Sequence, residues 1–277
     1  MNEIYALHAI TSRDAVGFDA ARYSRFKFGD GDVARRFGRE LAQGFATQRL
    51  PMIPKTAQLV VLPSPFSFIP TASYWMTQAF TRELNRALVE QERSVAQEVK
   101  IGRSITYRDD YGNLTFAERI RLIGNDTFRV DTMALEGKTL VFVDDIRITG
   151  SHQLVIERMM DRYGLANPHT FVYYGQLTNA EVHPNIENYL NYYAVKSLGD
   201  LTPIVQSTSF RINTRLVKYI LNHAPADSQP FLEQQSTAFL DDLYDMALGN
   251  EYHLIAEYEP TVSVLGQLLN INQYQEL

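Results

Sequence analysis

The chain has 277 residues, of which 45% are apolar and 21% are charged, and its formal net charge is −6. These values are typical of a folded globular protein and exclude a disordered or collagen-like chain. They also argue against a general nucleic-acid binder, which usually carries a basic balance, so we expect no nucleic-acid partner.

Two further properties of the sequence bear on its location. It contains no cysteine, which excludes disulfides, thiolate nucleophiles and cysteine-ligated zinc sites. Its start, MNEIYALHAITSRD, lacks the basic and then apolar pattern of a secretory signal. No stretch approaches the roughly 20 apolar residues that cross a bilayer. We therefore expect a cytoplasmic protein that does not bind membranes.

The first predicted elements are a turn-rich segment, a helix and a buried strand. Residues 23–32, YSRFKFGDGD, contain two glycines and predict turns. Apolar residues recur every four positions over residues 33–47 and predict a helix, which Asp30 or Asp32 could cap. Residues 57–62, AQLVVL, are typical of a buried strand.

The next stretch predicts a loop, a helix and a polar segment. The proline-rich residues 63–73 form the loop, and a helix follows over 74–91. Residues 95–107 predict a strand with flanking turns, and 108–112, RDDYG, a mobile loop. Residues 114–122 are compatible with either a helix or an extended segment.

A strand–helix–strand unit follows in the second half of the chain. Residues 136–138 predict a turn, 140–143 a buried strand and 153–163 a helix, which Gly164 ends in the conformation that glycine favours. Residues 169–174 predict a third buried strand. This succession predicts an α/β fold with a twisted, mainly parallel sheet flanked by helices.

After about residue 203 the sequence predicts helices only, without further strands. Residues 231–248 are acidic and amphipathic, and 252–269 predict another helix. We therefore expect an α/β domain over residues 1–204 and a helical C-terminal extension over 205–277. No linker rich in glycine, serine and proline separates them, so we expect the extension to pack on the core.

The motif that carries chemistry is GKTLVFVDDIRITGSH, residues 137–152. An apolar strand leads to two adjacent carboxylates, and a short loop then opens a helix. Ligands of open α/β sheets bind beyond the carboxyl ends of the strands, and a helix start offers unpaired N–H groups to an anion. The loop suits a phosphate, and the carboxylates suit the vicinal hydroxyls of a ribose or a Mg²⁺ ion. The candidate residues are Asp144, Asp145, Arg147, Ile148, Thr149, Gly150, Ser151 and His152.

This motif resembles the phosphoribosyl-pyrophosphate (PRPP) signature of type I phosphoribosyltransferases. Asp144 and Asp145 match the acidic pair that grips the ribose hydroxyls, and Thr149 and Gly150 match the core of the 5-phosphate loop. Ile148 departs from the common pattern, which often has a small or hydroxyl residue there. The whole layout also resembles the divergent phosphoribosyltransferases of bacterial tellurite-resistance and stress gene clusters, which are thought to act in making a nucleoside-like metabolite.

The resemblance implies a phosphoribosyltransferase-like fold and further parts of a site. It implies that loop 63–73 binds pyrophosphate, that residues 107–113 form a mobile flap, and that Asp144 and Asp145 hold Mg²⁺. Loop 63–73 has no basic residue, so its donors would be hydroxyls and backbone N–H groups, with Arg82 and Arg103 as the nearest candidates for charge. The hood over the acceptor would be residues 22–32 or the C-terminal helices. The remaining candidate residues are Ser64, Pro65, Phe66 and Arg103.

The sequence leaves three functional hypotheses open. The first is transfer of phosphoribose from PRPP to a base-like nitrogen acceptor, and the second is a related enzyme of this fold that works in reverse or by phosphorolysis on a nucleotide. The third is a non-catalytic PRPP or nucleotide sensor, and a homodimer is possible in each case. A P-loop enzyme is less compatible, because Thr132 stands where the first glycine of that motif belongs. A structural turn without a ligand is a further alternative, less favoured than a phosphoribosyl site.

Overall fold

A computed structural model describes residues 2–104 and 128–271 of the chain. Its described part contains a five-stranded sheet and a short two-stranded sheet. The strands are β1 (Asn2–Ile10), β2 (Leu59–Pro63), β3 (Gln97–Glu98), β4 (Gly102–Arg103), β5 (Phe128–Arg129), β6 (Thr139–Arg147) and β7 (His169–Leu177). The helices are α1 (Ala20–Lys27), α2 (Gly31–Gln48), α3 (Ala72–Glu90), α4 (Thr132–Leu135), α5 (Ser151–Arg162), α6 (Ile186–Asn191), α7 (Thr202–Val205), α8 (Thr214–Leu221), α9 (Pro225–Leu232), α10 (Thr237–Gly249) and α11 (Glu259–Leu268).

The larger sheet is parallel throughout, in the order β1-β7-β6-β2-β3. Helices cover both faces, which explains why the central strands are apolar on both sides. Along β6, Val141 and Val143 pack in one core with α2 and α3, while Leu140 and Phe142 pack in another with α5. The predicted α/β fold with a mainly parallel sheet is therefore confirmed.

The predicted turn-rich segment 23–32 is wrong over its first half. Residues up to Lys27 belong to α1, which Asp19 caps by accepting a hydrogen bond from the N–H of Arg22 at 3.0 Å. Only the part around Gly29 is a turn, and there φ is +102°. Asp30 then caps α2 by accepting from the N–H of Val33 at 3.1 Å, one of the two predicted caps.

Two other expectations differ from the structure. The first strand, β1, did not stand out in the sequence, and it pairs along its length with β7 at the edge of the sheet. Of the strand predicted over 95–107, the described residues 95–104 form two short pieces, β3 and β4. The expected flap at 107–113 and the segment 114–122 lie outside the described residues.

The described C-terminal residues form helices that are shorter than the predicted ones. The acidic helix expected over 231–248 is two helices, α9 and α10, and the one expected over 252–269 is a 3₁₀ turn, Tyr252–Leu254, followed by α11. These helices share a separate apolar core, to which Phe28 and Ile69 from the sheet-bearing part also belong. Among the described helices, none is long and apolar enough to cross a membrane.

Candidate functional site

The site lies where one side of strand β6 loses its partner. The pairing of β2 with β6 ends at Pro63 opposite Val143, whereas β7 pairs with β6 as far as Arg147. The two carboxylates therefore do not follow the strand, as the sequence suggested, but lie within its last part. Residues 144–147 of β6 have no strand partner on the β2 side, and the shorter β2 leaves room for a ligand there.

Strand alternation sends the two carboxylates in different directions. Successive side chains of a strand point to opposite faces, so Asp144 lies on the α5 face and Asp145 on the α1 face. Adjacent acids of the same type thus receive different partners. The sequence pattern of two consecutive acids does not reveal this difference.

Asp144 is paired with His152 at the start of α5. The distance from Asp144 Oδ2 to His152 Nδ1 is 2.8 Å, and Asp144 Oδ1 accepts the N–H of Asp145 at 2.9 Å. Burial raises the pKa of Asp144, but the hydrogen bond and charge of His152 outweigh this effect, with help from Ser64 and Lys27. The net result is a pKa well below the usual range, so Asp144 is a carboxylate at neutral pH.

Asp145 is paired with two residues of α1. Its Oδ2 atom accepts a hydrogen bond from the Tyr23 hydroxyl at 3.0 Å and forms an ion pair with Lys27. The side chains of Lys27 and Asp145 are only 13% and 8% exposed, so this is a largely buried pair. Oδ1 accepts the N–H of Ile146 at 2.9 Å. Neither Tyr23 nor Lys27 was singled out in the sequence, because no local motif links them to a residue about 120 positions away.

The loop before α5 has the shape expected of an anion site. Gly150 precedes the helix with φ +75°, a conformation that favours glycine. A Cβ atom there would lie 2.8 Å from Arg147 Nη2, so the guanidinium group lies across the glycine. Gln153 accepts from Arg147 Nε at 2.9 Å and fixes it there. The positive charge of Arg147 therefore lies next to the N-terminus of α5, where the helix dipole is also positive.

The loop residues do not all face the cavity. The side chain of Ile148 is buried in the core under the sheet, so any contact with a ligand would come from its backbone. The Thr149 hydroxyl lies 2.9 Å from the Ser151 hydroxyl and accepts the N–H of Ser151 at 3.3 Å. Thr149 therefore shapes the loop, while Gly150 and Ser151 line the cavity.

The loop after β2 is held by the C-terminal region. Asn250 Oδ1 accepts the N–H groups of Phe68 and Ile69 at 3.1 and 3.4 Å. The N–H of Phe66 is directed to the carbonyl of Ile101 at 3.4 Å, and Arg103 donates its own N–H back to Phe66 at 3.2 Å. Several backbone donors that the sequence analysis assigned to pyrophosphate are thus already engaged.

All these elements surround one cavity of about 310 Å³. Ten of the twelve candidate residues line it; Ile148 and Thr149 do not. Arg82, on α3, is also absent from the lining. The cavity extends to parts of the chain that carried no sequence motif. The lining residues not singled out by the sequence include Lys27, Glu187, Tyr192, Thr214, Arg215, Lys218, Tyr219, Asn222 and Asn250.

The two carboxylates fit a Mg²⁺ ion only in part. Carboxylate oxygens are ligands that Mg²⁺ prefers, usually together with water and substrate phosphates. Each of the four oxygen atoms of Asp144 and Asp145 already accepts a hydrogen bond. In the described part of the chain, no group of three or more His, Cys, Asp or Glu side chains could hold a metal. The residues therefore fit an ion that arrives with a phosphorylated ligand, not a protein-only metal site.

The chain is similar to a known protein family and to several solved structures. The model of the family described as PRTase ComF-like matches residues 1–265. No curated protein matches the sequence significantly. Similar solved structures include the hypoxanthine phosphoribosyltransferase of Staphylococcus aureus, at 9% identity over 52% of this chain and 74% of that one, with a TM-score of 0.34.

Two further solved structures have TM-scores in the same range. The hypoxanthine phosphoribosyltransferase of Trypanosoma cruzi is 20% identical over 56% of this chain and 74% of that one, with a TM-score of 0.32. The hypoxanthine-guanine phosphoribosyltransferase of L. donovani is 16% identical over 53% and 73%, with a TM-score of 0.31. TM-scores this low carry no argument about substrates.

Proposed function

The chain belongs to the ComF-like phosphoribosyltransferase family, and on that premise we propose that it binds PRPP in the cavity beside β6. We further propose that it transfers the ribose 5-phosphate group to, or from, a base-like nitrogen acceptor. The observation that carries the proposal is the meeting of two carboxylates and a helix-start anion loop in one cavity. A ribose 5-phosphate group likewise presents a diol and a phosphate in one molecule.

Each part of the cavity has a role in this proposal. Arg147, Gly150 and Ser151 bind the 5-phosphate through the guanidinium group, the backbone and the hydroxyl. Asp144 and Asp145 accept hydrogen bonds from the ribose hydroxyls. Because the pKa of Asp144 is held low, this residue is a poor proton acceptor at neutral pH and acts as a fixed negative charge.

A fixed negative charge suits the chemistry of the transfer. The C–O bond to pyrophosphate breaks, a C–N bond to the acceptor forms, and the anomeric carbon carries positive charge in between. Catalysis then depends on positioning, on electrostatic stabilisation and on exclusion of water, not on a strong base. Mg²⁺, when bound with PRPP, would neutralise the leaving pyrophosphate. Lys27 holds Asp145 in place from α1.

The direct test is titration calorimetry of the whole chain with PRPP, ribose 5-phosphate and AMP, each with and without Mg²⁺. We expect PRPP and ribose 5-phosphate to bind, and Asp145→Asn to weaken both by roughly tenfold or more through loss of a charged acceptor. Asp241→Asn is the matched control, because Asp241 is an exposed acid on α10 outside the cavity. If neither PRPP nor ribose 5-phosphate binds, the proposal is wrong.

A second candidate function is a PRPP or nucleotide sensor. The observation that favours it is the state of the carboxylates, both of which already have strong partners within the protein. A bound ligand would then replace Lys27 and His152 as the partners of the carboxylates and would move α1, without any turnover. An assay of pyrophosphate release with a panel of bases and amines separates the two: PRPP that binds but is never consumed favours the sensor. In either case we expect the protein to act in the cytoplasm, in a stress-related pathway.

A further inference from the structure

Helix α8 presents a polar face to the cavity. The cavity-lining residues of this segment are spaced by three, four and seven positions, which places them on one side of a helix. They are Arg215, Lys218, Tyr219 and Asn222. The opposite side, with Leu216, Val217, Ile220 and Leu221, is buried in the C-terminal core. The amphipathic pattern thus fixes which side chains face the ligand.

The start of α8 is docked on the loop after β2. Thr214 donates its N–H to the carbonyl of Pro70 and its hydroxyl to the carbonyl of Ile69, both at 2.9 Å. Trp75 Nε1 donates to the carbonyl of Ile212 at 2.9 Å, just before the helix. These bonds fix the position of α8 relative to loop 63–73. Arg215, the next residue along, is consequently held beside that loop.

The cavity has more positive than negative side chains, in a protein of net charge −6. Among the described lining residues, five are Lys or Arg and three are Asp or Glu, an excess of two positive charges. The basic residues are Lys27, Arg103, Arg147, Arg215 and Lys218. The acidic residues are Asp144, Asp145 and Glu187. Only Arg147 belongs to the 5-phosphate loop, so most of this positive charge lies elsewhere in the cavity.

Arg215 and Lys218 of α8 line the same cavity as Asp144 and Asp145. The pKa of Tyr23 is raised well above its usual value, first by burial and then by the charges of Asp145 and Glu187, while the charge of Arg215 opposes the shift. Tyr23 therefore lies within electrostatic range of Arg215 and donates its hydroxyl to Asp145. A ligand that contacts Asp145 is within reach of α8.

PRPP carries anionic groups at both ends of its ribose. If the 5-phosphate occupies the loop at residues 149–151, the pyrophosphate on the anomeric carbon must meet other cations of the cavity. Residues 63–73 contain no Lys or Arg, and Asn250 already accepts two of their N–H groups. The same C-terminal region that engages these donors places Arg215 and Lys218 in the lining of the cavity, together with residues 64–67 of the loop.

Resting on the proposed function, we propose that Arg215 and Lys218 bind the pyrophosphate group of PRPP, so that α8 supplies the charge that loop 63–73 lacks. The C-terminal helices are then part of the substrate site. The selectivity for PRPP over ribose 5-phosphate resides in this helix. Arg103, whose backbone N–H donates to the carbonyl of Phe66 in the same loop, contributes a third positive charge to the cavity.

The test compares ligands with and without the pyrophosphate group. Titration calorimetry measures PRPP, ribose 5-phosphate and inorganic pyrophosphate, with Mg²⁺, on the full chain and on Arg215→Met and Lys218→Met. Each variant should lose roughly 10- to 100-fold in affinity for PRPP and pyrophosphate, the usual effect of one charge-assisted hydrogen bond. Affinity for ribose 5-phosphate should stay within about twofold, which also shows that the variant is folded. Lys55→Met is the matched control, because Lys55 is exposed and does not line the cavity.

The outcomes separate this proposal from the proposed function. Unchanged PRPP affinity in both variants overturns the role of α8 and leaves the 5-phosphate site intact. Equal losses for PRPP and ribose 5-phosphate also overturn it, since α8 would then not distinguish the pyrophosphate. If the wild type binds pyrophosphate but not ribose 5-phosphate, the ribose assignment fails while the role of α8 stands. If Lys218→Met binds none of the three ligands, Lys218→Gln takes its place, because it keeps a polar side chain. Lys218→Gln must then lose affinity for PRPP and pyrophosphate but not for ribose 5-phosphate.

Discussion

The buried ion pair between Lys27 and Asp145 gives the sharpest prediction for the protein without ligand. Lys27→Met keeps much of the length of the side chain and removes its charge. The Asp145 side chain, only 8% exposed, then has no ammonium group beside it. Removing one partner of a buried pair costs about 3–5 kcal/mol, because the other charge is left uncompensated.

The local hydrogen bonds place the expected loss at the lower end of that range. Asp145 keeps the hydroxyl of Tyr23 and the N–H of Ile146, each at 3.0 Å or less. We therefore expect Lys27→Met to lower the free energy of unfolding by about 3 kcal/mol. The double variant Lys27→Met/Asp145→Asn should recover about 2 kcal/mol of this loss, since the neutral amide needs no counter-charge.

Urea denaturation at pH 7 measures these free energies, and the two single variants with the double variant form a thermodynamic cycle. Arg36→Met is the control, because Arg36 and Glu40 form an ion pair with side chains 56% and 35% exposed. Exposed pairs are screened by solvent, so this variant should change little. A loss below about 1 kcal/mol in Lys27→Met would refute the reasoning that the charge of Asp145 is buried and depends on Lys27.

Three further predictions concern the rest of the site. The folded-state pKa of Asp144 is lowered, so its charge stabilises the fold above an unfolded-state pKa of about 4 and that contribution is lost as the pH falls below it. Asp144→Asn should therefore flatten the decline of the urea midpoint between about pH 4 and pH 2, and equal slopes would contradict this. Gly150→Ala should cost about 1–2 kcal/mol, because φ is +75°, and should weaken ribose 5-phosphate binding by displacing Arg147; unchanged affinity in calorimetry would exclude that loop as the phosphate site. Asn250→Ala removes the acceptor for two N–H groups of the loop after β2 and should lower PRPP affinity more than ribose 5-phosphate affinity, whereas equal effects would indicate a general loss of structure.

Much of the fold was predictable from local patterns. The apolar runs at 57–62, 140–143 and 169–174 predicted the central strands of the sheet, because a parallel strand covered on both faces must be apolar throughout. The helix over 33–47 followed from its four-residue repeat. Strand β1 was missed because it lies at the edge of the sheet and carries mixed residues. The helical residues 23–27 were predicted as turns because two glycines, which are typical of turns, follow them closely.

The sequence by itself predicted a ribose-phosphate site, since consecutive acids, a glycine and a helix start are local features of residues 144–152. Only the tertiary structure decided what each acid does. The pleat of β6 turns Asp144 toward His152 and Asp145 toward Tyr23 and Lys27, and no local pattern encodes partners that are distant in the chain. The C-terminal helices are a similar case. Their apolar faces were readable from the sequence, but the placement of α8 beside the loop after β2 depends on hydrogen bonds between segments about 145 residues apart.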